Sequence, residues 1–407
     1  MRKLPLLLLM INMFTLLLGV GIVIPILPAY LAYFEASGMV AGLLIAAFGL
    51  TQLLFSPIGG RWSDRFGRKP LIIGGMVLNA IAHLIFAMAD HLSLLFISRL
   101  IGGIGLGLTI PSITAYVVDV TDREDRVKGM GWIGGAISLG IAIGPGIGGF
   151  LAGFSMRAPY YGAAALTVLA IIFSSIMLAE TRKTKDAPSR LEQRPRTVSI
   201  SSFTNNVQKQ LQSGIFIFLL LAFLFSFGLM SFETAFPLLA DAHFGYSTNE
   251  IAMIFTAGAI MGVIVQFLLL SMLTKRFGEK RIVYWSLSTA AVTLVLMLLN
   301  SNLVYILLLT AIFFTTQSLL RPIISAILSK RASENEQGYV AGLGNTYMSL
   351  GNIFGPVTAG LLYDLNYSLP YMSGALIFIG GFLLYVIVEH KGKKKFQLGA
   401  NARRSEL

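Results

Sequence analysis

The chain alternates long apolar segments with short polar ones from its first residues to about residue 390. Each apolar segment holds about 20 residues or more, the length that a helix needs to cross a bilayer. The first segment continues through about Tyr30 without a small-residue cleavage pattern, so we interpret it as a membrane helix and not as a signal peptide. The pattern predicts twelve membrane helices, over residues 4–33, 38–60, 69–89, 92–118, 129–153, 158–180, 213–240, 248–273, 281–299, 302–329, 338–363 and 370–390.

One polar segment is much longer than the others. Residues 181–212 are rich in Ser, Pro and Arg, which is typical of a linker between domains. This segment divides the chain into two halves of six predicted helices. We therefore expect an N-terminal bundle over 1–180, a linker over 181–212, a C-terminal bundle over 213–390 and a basic tail over 391–407.

The two halves contain related sequences. SDRFGRK (63–69) matches TKRFGEK (274–280), GIAIGP (140–145) matches GNIFGP (351–356), and Pro111 matches Pro322. All three matches have the same offset of 211 residues, which indicates an internal repeat. Two fused six-helix bundles are a transporter architecture, with the substrate path at their interface. The predicted fold is an all-α membrane protein with two pseudo-symmetric bundles.

Composition supports this fold class and excludes several kinds of site. Of the 407 residues, 55% are hydrophobic and 12% are charged, whereas soluble domains carry roughly 25% charged residues. The sequence has no cysteine and four histidines, without metal-ligand spacing, so we expect neither a metal nor a cofactor. It also lacks a GxxxxGK[ST] nucleotide loop, so we expect neither an ATP-driven pump nor an enzyme.

The distribution of basic residues predicts the orientation. With the N-terminus in the cytoplasm, 28 of the 31 Lys and Arg residues fall on the cytoplasmic side. Arg157 lies on the other side, and Arg99 and Arg321 fall within helices. This is the positive-inside pattern, so the net charge of +12 reflects topology beside anionic lipid and not nucleic-acid binding. We expect both termini in the cytoplasm.

Several motifs resemble one transporter family, over essentially the whole chain. GRWSDRFGRK (60–69) resembles the 2–3 loop signature of the major facilitator superfamily, and SRLIGGIGLG (98–107) resembles its helix-4 signature with an intramembrane arginine. LGVGIVIPILPAYL and LLIAAFGLTQLLFSPIGG are similar to Gram-positive multidrug efflux pumps of the quinolone-resistance type, which implies a bacterial plasma-membrane protein. The helix-5 signature of drug:proton antiporters is matched by Gly140, Gly144, Pro145, Gly148 and Gly149.

The helix-5 motif places six glycines and a proline inside a membrane helix, in SLGIAIGPGIGGFLAG (138–153). Such residues are tolerated where neighbouring helices satisfy the backbone. Glycines every four residues form a smooth groove on one helix face, into which another helix can pack closely. The resemblance implies that this segment packs at the interface between the halves and forms a tight seam that rocks between inward and outward states. Ordinary small-residue packing is the alternative.

The 2–3 loop motif contains one acid among cations. The resemblance implies that Asp64 caps the N-terminus of helix 11, where the helix dipole favours an anion. It also implies that Arg68 pairs with an acid near the end of helix 4, for which Asp119 is the candidate. Together these residues would latch the inner gate in the outward-facing state. Lys275 takes the place of Asp64 in the second half, so we expect a one-sided latch; the alternative is a basic loop that serves orientation only.

Three ionisable residues within helices are the candidates for proton coupling. Glu233 is the only carboxylate well inside a predicted helix, and a cavity carboxylate can exchange protons or hold a cationic drug. The resemblance suggests proton transfer for Arg99, and Arg321 is a candidate counter-charge for Glu233. Structural pairing remains the alternative for Glu233 and Arg99, as does snorkelling to the inner surface for Arg321.

The sequence departs from the resembling pumps at one position. Those pumps carry an acid in helix 10, three residues before the Arg-Pro pair, and Ser318 stands there in this chain. We therefore expect Glu233 to be the single acid of the cavity. We expect aromatic and polar side chains to line the substrate cavity, and the candidates are Phe48, Gln52, Phe227, Phe232, Phe314, Asn345 and Asn352. We interpret His83, which stands alone in helix 3, as a structural residue.

The sequence thus predicts a proton-coupled antiporter that exports amphipathic, often cationic drugs and dyes by alternating access. An exporter of one endogenous metabolite or lipid is the alternative within the same class. A membrane sensor that does not transport is an alternative from another class, against which the lack of an added soluble domain speaks. The expected partners are small drugs or dyes, protons and membrane lipids, and we expect a monomer that binds no nucleic acid.

Overall fold

The structure, a computed structural model, describes residues 3–181, 215–332 and 336–405, without the side chains of residues 3, 123 and 388–405. Twelve helices occupy these ranges. They are α1 (Lys3–Tyr33), α2 (Gly38–Phe66), α3 (Arg68–Ala87), α4 (Leu92–Val120), α5 (Arg123–Ala152), α6 (Ala158–Met177), α7 (Phe216–Ala242), α8 (Thr248–Phe277), α9 (Glu279–Leu296), α10 (Leu303–Arg331), α11 (Gln337–Leu365) and α12 (Leu369–Ser405).

The helices follow the predicted order, with three notable differences in their bounds. α2 and α5 include charged residues that the apolar pattern assigned to loops, because a helix can continue past the apolar region. α12 runs to Ser405 through the segment predicted as a tail, whose Lys, Gln, Ala and Arg residues are good helix formers. The predicted linker lies outside the described residues, except for Thr181.

Ten helices in the described part of the chain are long and apolar enough to span a membrane. α9 and α11 do not meet that criterion. α9 starts with three charged residues, and the first half of α11 is rich in Gly, Asn, Ser and Thr. Both helices nevertheless lie side by side with spanning helices, since α9 packs on α10 and α12, and α11 packs on α7 and α2.

Each half packs its six helices in the same arrangement. In the first half α1 packs on α5, α2 on α4, and α3 on α6. The second half repeats these pairs as α7 on α11, α8 on α10, and α9 on α12. The internal repeat of the sequence therefore corresponds to a repeat in helix packing. A π-helical turn at Val265–Leu269 interrupts α8 and shifts the register of its last turns by about one residue.

The glycines of the helix-5 motif do form a groove, but the groove receives α1. A Cβ atom added to Gly140, Gly144 or Gly148 would lie 2.6–2.9 Å from a backbone carbonyl oxygen of α1. The segment is expected between the halves, but this face of it packs within the first half, and other residues of the segment contact the second half. The spacing of four defines one helix face and does not say which neighbour covers it. In the repeat, Gly351 and Gly355 receive α7 in the same way.

The halves meet instead along two seams, α5 with α8 and α2 with α11. In the first seam, Gly146 lies against Thr256 and Gly149 against Ala252. Within the motif, Gly149 thus belongs to an interface between the halves, on a different helix face from Gly144. Both contacts lie near the end of α5 and the beginning of α8.

The second seam closes the same end of the molecule. Gly38 and Gly42 lie against the backbone of Gly360 and Pro356, so close that neither could carry a Cβ without displacement. The Asp364 carboxylate accepts hydrogen bonds from the backbone N–H of Gly38, at 2.6 Å, and of Met39, at 2.9 Å. We call this end, where α2 begins and α5 ends, the closed end.

The opposite end carries the α2–α3, α4–α5 and α8–α9 connections, and we call it the basic end. Toward the basic end, a Cβ at Gly131 or Gly134 of α5 would meet nothing within 4 Å. The same is true of Gly338 and Gly342 in the first turns of α11. The two seams are therefore tight at the closed end and open at the basic end.

The groove of α5 predicts a contrast between two substitutions in one helix. Gly144→Val should destabilise the protein by about 1–3 kcal/mol, because the added methyl groups would force α5 away from α1. Gly131→Val makes the same chemical change where there is space and should have little effect. Thermal unfolding of the purified variants in detergent tests this, and equal melting temperatures for the two variants would contradict the packing described.

Candidate functional site

The carboxylate of Glu233 lies on α7, slightly beyond the middle of the helix toward the closed end. The residue is half-buried. Within the described residues its side chain forms no hydrogen bond or ion pair. An ionisable group inside a membrane helix is costly unless it is paired or faces water. Glu233 is thus a membrane carboxylate without a partner among the described residues.

The structure does not bring Arg321 together with Glu233. Arg321 is exposed on α10, about ten residues from its basic end, and it forms no ion pair in the described part of the chain. Ser318, one turn earlier, donates a hydrogen bond from Oγ to the carbonyl oxygen of Thr315 at 2.8 Å and contacts Gly262. At the position where the resembling pumps carry a second acid, this chain therefore has a hydroxyl group that is hydrogen-bonded to the backbone.

Arg99 lies in a polar cluster inside the first half. Its guanidinium carbon is 4.5 Å from the ring centroid of Phe86, a cation–π contact, and its Nη2 atom is buried without a hydrogen-bond partner. The ring of Phe86 stacks on that of Tyr160, with centroids 4.1 Å apart. Among the described residues, no acid pairs with Arg99. The contact with an aromatic ring offsets part of the cost of burying the Arg99 guanidinium, as an ion pair with a carboxylate would otherwise do.

His83 lies in the same region and fills space. Its imidazole covers Gly19 of α1, at a distance that leaves no room for a Cβ there. The Nε2 atom is buried and has no hydrogen-bond partner. The ring centroid is 6.5 Å from that of Tyr160. This placement agrees with a structural role.

The residues predicted to line a substrate cavity fall into two groups. Phe232 is 3% exposed and packs in the core of the second half, with its ring centroid 4.5 Å from that of Phe313. Phe227 is buried where α7 contacts Gly351 and Gly355. These two rings pack against neighbouring helices in this state, as most phenylalanines of α7 do.

The other predicted cavity residues are not fully buried. Asn345 is exposed, whereas Phe48, Gln52, Phe314 and Asn352 are half-buried. Asn352 accepts a hydrogen bond from the Ser226 hydroxyl at 2.5 Å, which joins α11 to α7.

A charged network lies at the basic end of the first half. Arg68 donates from Nε to the Asp119 carboxylate at 3.1 Å and also pairs with Asp64. The pair proposed between the α2–α3 connection and the end of α4 is thus present. The side chain of Asp64 is 71% exposed and lies at Arg68 and not at the N-terminus of α11. This is the arrangement expected when the basic end is open.

Glu180 joins this network, although it is not among the site residues predicted from the sequence. Its two carboxylate oxygens accept hydrogen bonds from the backbone N–H groups of Arg68 at 2.9 Å and Lys69 at 3.0 Å, which caps α3. Gly67 precedes these amides with φ 108°, and a Cβ on it would collide with the Glu180 carboxylate. The next residue, Thr181, donates to Asp119 at 2.9 Å.

The contacts of Glu180 connect positions more than 100 residues apart, so no local pattern could reveal them. A signal did exist in the sequence, since Gly67 precedes α3 without a side chain that could cap the helix. In the residues that the structure covers, no group of three or more His, Cys, Asp or Glu side chains could hold a metal ion.

The comparisons with known proteins agree with this geometry. The family model described as the Major Facilitator Superfamily matches residues 9–269 and 218–407. The chain belongs to the major facilitator superfamily. Members of this superfamily share the arrangement of two six-helix bundles around a central path, which is the architecture described above.

Several bacterial relatives are similar over nearly their whole length. The chain is 38% identical to multidrug resistance protein 2 of Bacillus subtilis (strain 168), covering 93% of this chain and 94% of the relative. It is 36% identical to multidrug resistance protein 1 of the same strain, over 95% and 96%. It is 33% identical to the quinolone resistance protein NorA of Staphylococcus aureus (strain COL), over 95% and 97%.

Solved structures share the fold at low sequence identity. A bacterial homolog of the human lysosomal transporter Spinster, in an inward-facing and occupied conformation, superposes with a TM-score of 0.75 at 15% identity, covering 95% of each chain. The nucleoside transporter NupG superposes with a TM-score of 0.73 at 17% identity, covering 96% of this chain and 99% of that one. These likenesses concern the fold.

The contacts of Glu180 predict how α3 responds to its loss. Glu180→Gln removes the negative charge and leaves one carbonyl oxygen to accept from two backbone N–H groups. Loss of a helix cap destabilises the start of a helix by about 1 kcal/mol. Amide hydrogen exchange in the peptide that spans residues 66–72 should become about fivefold faster, since 1 kcal/mol is roughly that factor.

Glu250→Gln is the matched control, because Glu250 accepts from the backbone N–H of Ser247 at the closed end. It should accelerate exchange only near Ser247. Unchanged exchange at residues 66–72 in Glu180→Gln would show that the carboxylate does not hold the start of α3.

Proposed function

We propose that this protein is a proton-coupled antiporter that exports amphipathic, often cationic drugs and dyes by alternating access. The observation that carries the proposal is Glu233, a half-buried membrane carboxylate without a partner in the described residues. A lone carboxylate can bind a proton or attract an organic cation, but not both at once. The names of the relatives, multidrug and quinolone resistance proteins, support drugs as the substrate class.

The orientation is part of this proposal. The basic end carries the α2–α3, α4–α5 and α8–α9 connections, which are rich in Lys and Arg. We therefore assign this end to the cytoplasm. The closed end then faces the outside of a bacterial plasma membrane, and both chain termini are cytoplasmic. In this orientation the present conformation is inward-facing, because its seams are tight at the closed end and open at the basic end.

The exchange of ligands at Glu233 accounts for coupling. In the inward-facing state the carboxylate releases its proton to the cytoplasm and attracts a cationic drug from the cytoplasm or the inner leaflet. The seams then open at the closed end and close at the basic end. A proton entering from outside neutralises the carboxylate, and the drug leaves because its electrostatic attraction is lost. The neutral carboxylic acid can return to the inward-facing state without an unpaired charge.

Arg99 and Arg321 have supporting roles in this scheme. Arg99 contacts the ring of Phe86 inside the first half, and we assign it a part in proton transfer. Arg321 is exposed near the basic end and is available as a counter-charge for Glu233 when the basic end contracts. Ser318 supplies no second carboxylate, so one acid performs both proton and cation binding. We propose a monomer surrounded by membrane lipids, without a cofactor or nucleic-acid partner.

The energy source can be tested in proteoliposomes of the purified protein with the same ethidium concentration inside and outside. An imposed inward-directed proton gradient should drive ethidium outward until its external concentration exceeds the internal one, and a protonophore should abolish that transport. Transport that requires ATP and survives the protonophore would contradict proton coupling. A panel of amphipathic dyes in the same assay separates a multidrug exporter from an exporter of one metabolite, which would move none of them.

The role of Glu233 predicts distinct effects of two substitutions. Glu233→Gln resembles the protonated state permanently, so uphill efflux of cationic dyes should fall at least tenfold, while binding of neutral substrates changes less. Ser318→Asp should add a titrating group and change the pH dependence of transport.

Dye efflux against pH at matched expression measures both effects. Glu35→Gln, the same change at an exposed residue of the closed end, is the control and should transport normally. Uphill cation efflux by Glu233→Gln would place the proton site elsewhere, with Asp119 as the next acid to test.

A further inference from the structure

The second half has an ion pair at its basic end that corresponds to Arg68–Asp119 with the charges reversed. Lys330 donates to the Glu279 carboxylate at 2.5 Å. Glu279 and Lys330 stand 211 residues after Arg68 and Asp119, at the same offset as the sequence repeat. The pair joins the start of α9 to the end of α10, just as its counterpart joins α3 to α4. The expectation of a one-sided latch is therefore wrong for this pair.

The third position of the network is reversed as well. Asp64 in the last turn of α2 corresponds to Lys275 in the last turn of α8. Lys275 is exposed and has neither a hydrogen bond nor an ion pair within the described residues. The first half thus carries Asp64, Arg68 and Asp119 at these positions. The second half carries Lys275, Glu279 and Lys330, which have the opposite charge at each position. Three reversals at one offset suggest that the partner surfaces differ in charge too.

The first turns of the two helices that face these positions differ in their acids. α11 has no acid within its first turn, although Glu336 stands at its N-cap without capping the helix, so the positive end of the helix dipole can still attract an anion such as Asp64. α5 carries Glu124 and Asp125 in its first turn, between Arg123 and Arg126. Asp125 lies 3.7 Å from Lys128, whereas Glu124 is exposed and unpaired in the part of the chain that the structure describes. The α5 terminus therefore offers a carboxylate to a cation.

The register of the α5–α8 seam shows which residues would meet. Gly149 lies against Ala252, Gly146 against Thr256, and a Cβ at Gly135 would be 3.9 Å from the Phe267 ring. Because the helices are antiparallel, each step along α8 moves one step back along α5. Continued to the basic end, and with the extra residue of the π-helical turn in α8, this register places Lys275 opposite residues 127–128, about one turn from Glu124.

The helical period places Glu124 on the seam. Glu124 precedes Gly135 by eleven residues, as Gly135 precedes Gly146, and eleven residues are close to three whole turns. The three residues therefore share the face that α8 contacts. The α2–α11 seam has an equivalent register, since Gly42 lies against Pro356 and continuation to the basic end brings Asp64 to the start of α11.

We propose that Lys275 and Glu124 form a second inner latch, which closes the α5–α8 seam when the basic end closes. The Glu279–Lys330 pair holds the α8–α9 connection so that Lys275 can reach α5, as Arg68–Asp119 holds the α2–α3 connection. The two seams then close through contacts of opposite polarity, an anion onto α11 and a cation onto α5. This inference rests on the alternating-access part of the proposed function, but on neither its substrates nor its protons.

The absence of cysteine from the chain allows a direct test. Met130 of α5 and Met272 of α8 are uncharged, 37% and 53% exposed, and opposite one another in the extended register. In the double variant Met130→Cys, Met272→Cys, reconstituted in liposomes, a short bifunctional thiol reagent should cross-link the two cysteines whenever the basic end closes. The rate of cross-linking, followed by gel mobility, then reports closure without any drug or proton gradient.

Charge changes in this reporter background test the latch. Lys275→Glu should lower the cross-linking rate about threefold, the effect of replacing a surface ion pair by a repulsion. Adding Glu124→Lys to Lys275→Glu should restore the rate, because the two positions then again carry opposite charges. Arg276→Glu, which changes the net charge equally one residue away, should leave the rate near that of the parent. Lys275→Gln, with an intermediate rate, serves as the second variant should Lys275→Glu fold poorly.

An unchanged rate in Lys275→Glu and Lys275→Gln, or no restoration by Glu124→Lys, would overturn the second latch. A parent that never cross-links would overturn it as well. The proposed function fails separately: a protein with the predicted cross-linking pattern that does not move ethidium in proteoliposomes would retain the latch but lose the assignment as a drug exporter.

Discussion

The close approach of helix backbones at glycine is the interaction on which the rest of this structure depends. Between α1 and α5, and again between α7 and α11, carbonyl groups lie where a side chain would otherwise be. Lipid provides no hydrophobic force that drives helices together, so such packing supplies much of the association. It makes each half a firm unit, and it leaves other faces of α5 and α11 free to contact the opposite half.

Contacts between the halves use different glycines, and the tightest of them lie at one end. Gly38 and Gly42 on one seam, with Gly146 and Gly149 on the other, lie at the closed end. Contacts that involve small residues and few side chains can separate without exposing large apolar surfaces, although separation would break the hydrogen bonds of Asp364 to Gly38 and Met39. Firm contacts within a half and smaller contacts between the halves are what the proposed rocking of two rigid units requires.

Much of this organisation can be predicted from the sequence, because its causes are local or periodic. Apolar length predicts the helices, the offset of 211 residues predicts the repeated bundles, and charge next to apolar segments marks Glu233, Arg99 and Arg68. The contacts that escape prediction depend on tertiary packing. The spacing of Gly140, Gly144 and Gly148 defines a face but not its neighbour, and Glu180 caps α3 across more than 100 residues.

The central claim is that the two ends of the molecule open and close in opposition. Distances between spin labels test it most directly, with one pair at Val127 and Met272 for the basic end and another at Phe154 and Met253 for the closed end, both exposed positions. Pulsed electron resonance across a pH series should show the basic-end distance decreasing as the closed-end distance increases. Distances that increase together, or a closed-end distance that never changes, would contradict alternating access.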